Sequence, residues 1–114
     1  MYQGGVVEGR LSINRWVELC CTNPAKMFGM YPKKGTIAVG SDADIVVYDP
    51  GTSFVYTADT IHMNIDYTAY DGMEINGKVH TVLSRGTVVV ENDEYVGHKG
   101  HGQYLRRGPS QMLI

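Results

Sequence analysis

"NPAKMFGMYPKKGTIAVGSDADIVVYDP", residues 23–50, contains the change of period that decides the fold. Its first part is helical: Asn23 can cap, and Pro24 suits the first helical position, where its missing N–H costs nothing. Gly29 is the natural C-terminal stop, with Phe28 and Met30 packing beside it. From Gly35 the pattern turns over. Gly40, Asp42 and Asp44 predict a turn held by side-chain-to-backbone hydrogen bonds. "IVVY", residues 45–48, is too short and too β-branched for a helix and predicts a strand buried on both faces. Asp49-Pro50-Gly51 is expected to end it.

Upstream, residues 1–11 are glycine-rich and predict a loop or a frayed end. Ser12 is a good N-cap, and Ile13, Trp16, Val17 and Cys20 recur as one face of an amphipathic helix, with Arg15 and Glu18 opposite. Residues 1–34 thus predict a helix pair with one apolar side. Downstream, "SFVYTA" is a second strand and residues 59–77 an irregular crossing loop. "VHTVLS" and "TVVVE" flank Arg85-Gly86 and predict a tight hairpin. Asn92-Asp93 is a further turn into a short strand at Tyr95-Val96. The fold class expected is α+β, with the helices packed on the sheet through Ile13, Trp16, Val17 and Phe28. Ile45, Val47, Val82, Val88 and Val90 are the expected inward residues of the sheet.

The bulk properties narrow the function classes. The chain has 114 residues, one domain's worth and too few for a barrel enzyme. A net charge of −2 provides no basic field, so nucleic acid is not an expected partner. No apolar run approaches the roughly 20 residues of a membrane helix, and "MYQGGVVEGR" lacks a signal-peptide core. The two cysteines, Cys20 and Cys21, are adjacent and predict free thiols in a reducing cytoplasm, one of them lining a core. "LCCT" matches no nucleophile motif.

Chemistry-bearing residues are sparse. His80 falls in a strand and is expected at a surface or interface. His98 and His101 have an HxxH spacing in a glycine-rich loop, but a metal site wants three or four ligands and no third is arranged nearby. Asp42 and Asp44 could pose as an acid/base pair, yet turn formation is sufficient work for them. The glycines at 4–5 and 97–102 lack the order of a phosphate loop. The eight tyrosines fit packing better than base stacking. No catalytic, substrate-binding or metal-ligating residue is assigned in this chain.

The order of motifs adds what spacing cannot. "GRLSINRWVELCCTNPAKMFGMYPKKGTIAVGSDADIVVYDP", then "NIDYTAYDGMEINGKVHTVLSRGTVVVEN" and "GHGQYLRRG", resemble the C-terminal region of the hydantoinase and dihydropyrimidinase family of cyclic amidohydrolases. "GSDADIVV" fits the wider superfamily, "YDGMEINGKVHTVLSRG" narrows it to hydantoinase-like members, and "QYLRRG" leans towards microbial D-hydantoinases. The resemblance implies a parent with a (β/α)₈ barrel and a binuclear metal centre, usually zinc. Its histidines, carboxylated lysine and aspartate all lie upstream of the aligned segment. It also implies that residues 1–34 are the last barrel helices and residues 35–96 the C-terminal strands of a composite β-sandwich. Residues 97–114 would be a tail in contact with a neighbouring subunit.

Two readings follow. In the first, the chain is part of a cyclic amidohydrolase and inactive alone. In the second, it is a free-standing structural or oligomerisation module derived from that family. Both predict a partner, either further copies or the rest of the parent, with the hairpin of residues 79–91 or the tail at the interface. Tyr104, Leu105, Met112, Leu113 and Ile114 have little reason to stay in water.

Overall fold

The computed structural model describes residues 1–111. Two short helices, α1 (Ile13–Val17) and α2 (Asn23–Met27), precede four strands: β1 (Ile45–Tyr56), β2 (Met73–Ser84), β3 (Thr87–Glu91) and β4 (Glu94–Tyr95). The strands form one antiparallel sheet in the order β1-β2-β3-β4. The α+β class holds. Met112, Leu113 and Ile114, three of the expected partner-seeking tail residues, lie outside the described residues.

Local chemistry explains most boundaries. The Ser12 hydroxyl accepts the Arg15 N–H at 3.1 Å and so caps α1. Gly29 ends α2 at φ 67°, with Gly29 N–H bonded to Lys26 O and Met30 N–H to Ala25 O, the paired bonds of a Schellman stop. The Arg85-Gly86 turn has φ of 48° and 80°, the two left-handed residues that match the twist of a two-residue hairpin. Asn92-Asp93, at 50° and 69°, repeats the device between β3 and β4.

Three expectations fail locally. Asn23 does not start a separate helix. Thr22 and Asn23 are both helical, and a π turn (Glu18–Thr22) carries the chain from α1 into α2. The wider turn absorbs Pro24, which has no N–H to give to the preceding turn. Residues 1–11 are not a plain loop: Tyr2–Val7 is a π turn, clipped to β2 where Gln3 Oε1 accepts the Asn76 N–H at 2.8 Å. Asp49-Pro50-Gly51 does not end the first strand. β1 runs through it as a bulge, since the Asp49 carboxylate takes the Gly51 N–H at 2.8 Å and the Thr52 hydroxyl at 2.6 Å. Those two bonds hold the Asp49 carboxyl below its ordinary value. Pro50 is tolerated because β1 is an edge strand. "SFVYTA" is therefore mostly the second half of β1, and the supposed loop up to residue 77 includes the start of β2.

The larger correction concerns burial. Ala25 is the one buried hydrophobic residue among those described. The residues of 45–48 are not buried on both faces, for Val46 and Val47 are 56% and 47% exposed. Ile13, Val17 and Phe28 are exposed as well, whereas Trp16 is half-buried and meets the sheet through Tyr48. Among the expected inward residues, Ile45, Val82 and Val90 are half-buried, whereas Val47 and Val88 are exposed. Both cysteines are exposed rather than lining a core. The accessible surface is 8471 Å², about a third more than the ~6,200 Å² of a compact chain of this mass. The radius of gyration, 15.7 Å, likewise exceeds the ~13 Å of a compact domain.

Candidate functional site

Two clusters of side chains hold the helical part to the sheet. In the first, Tyr2, Trp16 and Tyr48 meet with ring centroids 5.0, 4.7 and 5.5 Å apart in tilted and edge-on pairs. Such pairs contribute roughly 0.5–1.5 kcal/mol each beyond area burial. Desolvation in this nest raises the Tyr48 hydroxyl above its ordinary value, with Tyr2 adding to it.

The second cluster is polar. Lys34 Nζ lies 2.9 Å from Asp42 Oδ2 and 2.5 Å from Asp44 Oδ2. Asp44 Oδ1 accepts the Arg85 N–H at 2.9 Å, and Gly86 N–H reaches Ala43 O at 2.9 Å. The acidic pair therefore does more than shape its own turn, since it ties the segment after α2 to the hairpin tip. Burial would raise the Asp44 carboxyl, but bonds from Lys34 and Arg85 overcome it and hold the group below its ordinary 3.8. Burial would lower Lys34, but Asp44 and Asp42 hold it above 10.5. With both carboxylates paired to one ammonium, neither is left free as a general base.

The sign of the pH response follows. Asp44 contributes stability above its ordinary 3.8, lost as pH falls through its lower folded value. Lys34 contributes below 10.5, lost as pH rises through its higher folded value. The Arg85 amide proton, followed by NMR, should show the Asp44 carboxylate step only below pH 3.8. A carboxylate step at 3.8 or above would show that Asp44 does not hold the turn.

The histidines form no centre. His62, His80 and His98 are exposed. His80 Nδ1 sits 2.8 Å from Thr81 Oγ. His98 and His101 do stand together, with rings 5.4 Å apart, but His101 Nε2 is 3.0 Å from Ser84 O and must donate to that carbonyl. The Arg85 guanidinium in turn donates to His101 O. This pair is a clip between the tail and the hairpin. No group of three or more His, Cys, Asp or Glu among the described residues could hold a metal ion. The residues present do not fit a resident metal. Nor is the Cys21 thiol activated, because partial desolvation and then Cys20 push it up rather than down.

A recess of about 590 Å³ beside β2 is lined by Tyr48, Phe54, His62, Lys78 and Asp93 among others. Two of its charged groups are paired with each other: Lys78 meets Asp93 and lies 5.6 Å from the Phe54 ring centre. The tail returns to its own chain, with Gly108 N–H on Gly29 O at 2.8 Å and Gln111 N–H on Lys26 O at 3.0 Å. The described residues assemble no metal-binding group and leave much apolar surface exposed. No helix among the described residues is long and apolar enough to cross a membrane.

The profile of the amidohydrolase family matches residues 1–89. Over 108 residues, 95% of this chain, the sequence is 59% identical to a D-hydantoinase of Streptomyces coelicolor, of which the match is 23%. Among solved structures, a D-hydantoinase from Bacillus sp. AR9 superposes with a TM-score of 0.93 at 50% identity, covering 97% of this chain and 24% of that one. A dihydropyrimidinase from Brevibacillus agri NCHU1002 does so with a TM-score of 0.93 at 47% identity, covering 99% and 24%. The chain spans about a quarter of the length of the relatives it matches.

Proposed function

The chain belongs to the amidohydrolase family, and we propose that it serves as the C-terminal quarter of a hydantoinase- or dihydropyrimidinase-like cyclic amidohydrolase. The reaction of such an enzyme is hydrolysis of a C–N bond in a cyclic amide. In this reading residues 1–34 correspond to the last barrel helices, 35–96 to strands of a composite β-sandwich, and 97–114 to a tail that meets a neighbouring subunit. The binuclear metal centre, with zinc as its metal, and every catalytic group would be supplied by the other three quarters of the enzyme. Its place would be the cytoplasm, which suits two unpaired cysteines.

The observation that carries the reading is 59% identity to a D-hydantoinase along 95% of this chain. The uncovered surface supports it. A segment that buries one hydrophobic residue among those described has its apolar side chains shaped for contacts outside itself. Scaffold work of this kind requires shape and edge complementarity, which substitution at 59% identity preserves.

A chimaera tests this. The matched 108 residues of the Streptomyces coelicolor D-hydantoinase are replaced by those of this chain. The chimaera should fold and keep hydantoin-opening activity within about tenfold of the parent, a transition-state difference of ~1.4 kcal/mol. A folded, metal-loaded chimaera without turnover would overturn the reading.

A further inference from the structure

We propose that residues 101–111 are a strap fastened in cis. It runs from the hairpin tip to the end of α2, supplies main-chain N–H groups to that helix end, and seats there because residue 29 is glycine. The segment forms no helix or strand of its own. Its course is therefore set by what it is fastened to.

The near foot is at the hairpin tip. His101 Nε2 donates to Ser84 O at 3.0 Å, and the Arg85 guanidinium donates to His101 O. The Arg85 amide is held by Asp44, so one turn anchors both the segment after α2 and the tail. The far foot is mostly main chain. Gly108 N–H reaches Gly29 O at 2.8 Å and Gln111 N–H reaches Lys26 O at 3.0 Å, while Gln111 Nε2 donates to Tyr31 O at 3.3 Å. The last carbonyls of a helix have no partner within it. Here the local stop serves Pro24 O through the Phe28 N–H and Ala25 O through the Met30 N–H. Lys26 O receives the Gly29 N–H at 3.1 Å, and Gln111 from the strap fills its second acceptor site.

Gly29 has two tasks in this arrangement. Its φ of 67° ends α2, a task that Asn can also perform. Its second task excludes every side chain. A Cβ at residue 29 would stand 2.6 Å from Gly108 C and closer still to Gly108 O, main-chain atoms that cannot swing aside. The converse does not hold, for a Cβ at residue 108 would meet only Gly29 O, at an ordinary 3.6 Å. The seat is therefore specified from the α2 side. Two feet on one short segment also reinforce each other. With residue 101 fixed, residues 108–111 meet their seat as an intramolecular partner at high effective concentration. The strap thus joins sheet to helix by a route separate from the Tyr2–Trp16–Tyr48 nest.

Hydrogen exchange of the 114-residue chain, read by NMR at single residues, should show the Gly108 and Gln111 amides protected. Gly29→Asn keeps a residue that accepts the left-handed backbone but adds the Cβ. It should bring both amides to the rate of an unstructured segment, while the Met30 amide, bonded to Ala25 O, stays protected. Gly108→Ala should leave both protected. His101→Ala, at the other foot, should speed exchange at both about fivefold, the size of one net hydrogen bond. Free exchange at 108 and 111 in the unmodified chain would overturn the proposal. So would protection that survives Gly29→Asn, protection that Gly108→Ala removes as fully, or exchange at Gly108 indifferent to His101→Ala. If Gly29→Asn frees the Met30 amide as well, the His101→Ala result decides. Every contact involved lies within this chain, so the strap and the chimaera fail separately.

Discussion

Incubated with hydantoin or dihydrouracil and added zinc, the 114-residue chain should open no ring faster than buffer does. Enzymatic acceleration means removing roughly 8–23 kcal/mol from a barrier, which needs an activated nucleophile and an electrophile held on one reacting centre. The groups that stand in clusters are already committed. Asp42 and Asp44 share the Lys34 ammonium, His101 is spent on the Ser84 carbonyl, and Lys78 is paired with Asp93. Spectrophotometric ring-opening assays with and without zinc check the expectation. Turnover that scales with chain concentration and survives repurification would contradict it. The same residues inside the chimaera should support turnover, so the pair of assays separates an inactive segment from a misread family.

Gly77→Ala should unfold the sheet. Gly77 sits at φ 92°, where a side chain is strained, and an added Cβ would stand 2.6 Å from Tyr48 Cε1. The backbone cost is about 1–3 kcal/mol, and overpacking adds about as much again. Marginal stability in a chain with so little buried apolar surface cannot absorb ~2–6 kcal/mol. The signal of Trp16, the single tryptophan, reports the loss because the Tyr2–Trp16–Tyr48 nest rests against this position. Gly4→Ala, where nothing lies within 4 Å, is the control and should be nearly silent. In a Tyr48→Ala background the steric part should vanish and the backbone part remain, so Gly77→Ala should cost less there than in the unmodified chain. Unchanged Trp16 fluorescence and amide protection in the single variant would mean that the backbone around residue 77 yields without cost.

Much of the secondary structure was legible because its causes are local. The Ser12 cap, the Gly29 stop and the turns at Arg85-Gly86 and Asn92-Asp93 each depend on a few adjacent residues, and each forms as expected. Relations between distant residues were not legible. Pro50 reads as a strand end, and only the pairing of Asp49 with Lys78 and of Ser53 with Asn76 on either side makes it a bulge. Asn23-Pro24 reads as a new helix until the π turn before it supplies room for the ring. Asp44 looks like a turn residue of its own loop, whereas its carboxylate serves a turn 41 residues away. His98 and His101 are brought together as their spacing suggested, yet the bond to Ser84 gives His101 a different task.

By itself the sequence determined the α+β class, the hairpin and the family, because propensity, turn chemistry and motif order are written in neighbouring residues. The tertiary structure alone decided that β1 is an edge of the sheet among the described residues, that Val46 and Val47 are about half exposed, and that Trp16 is the half-buried one of the four helix positions expected on the sheet. The physical reason is that an apolar pattern records which side chains need cover but not whose atoms provide it.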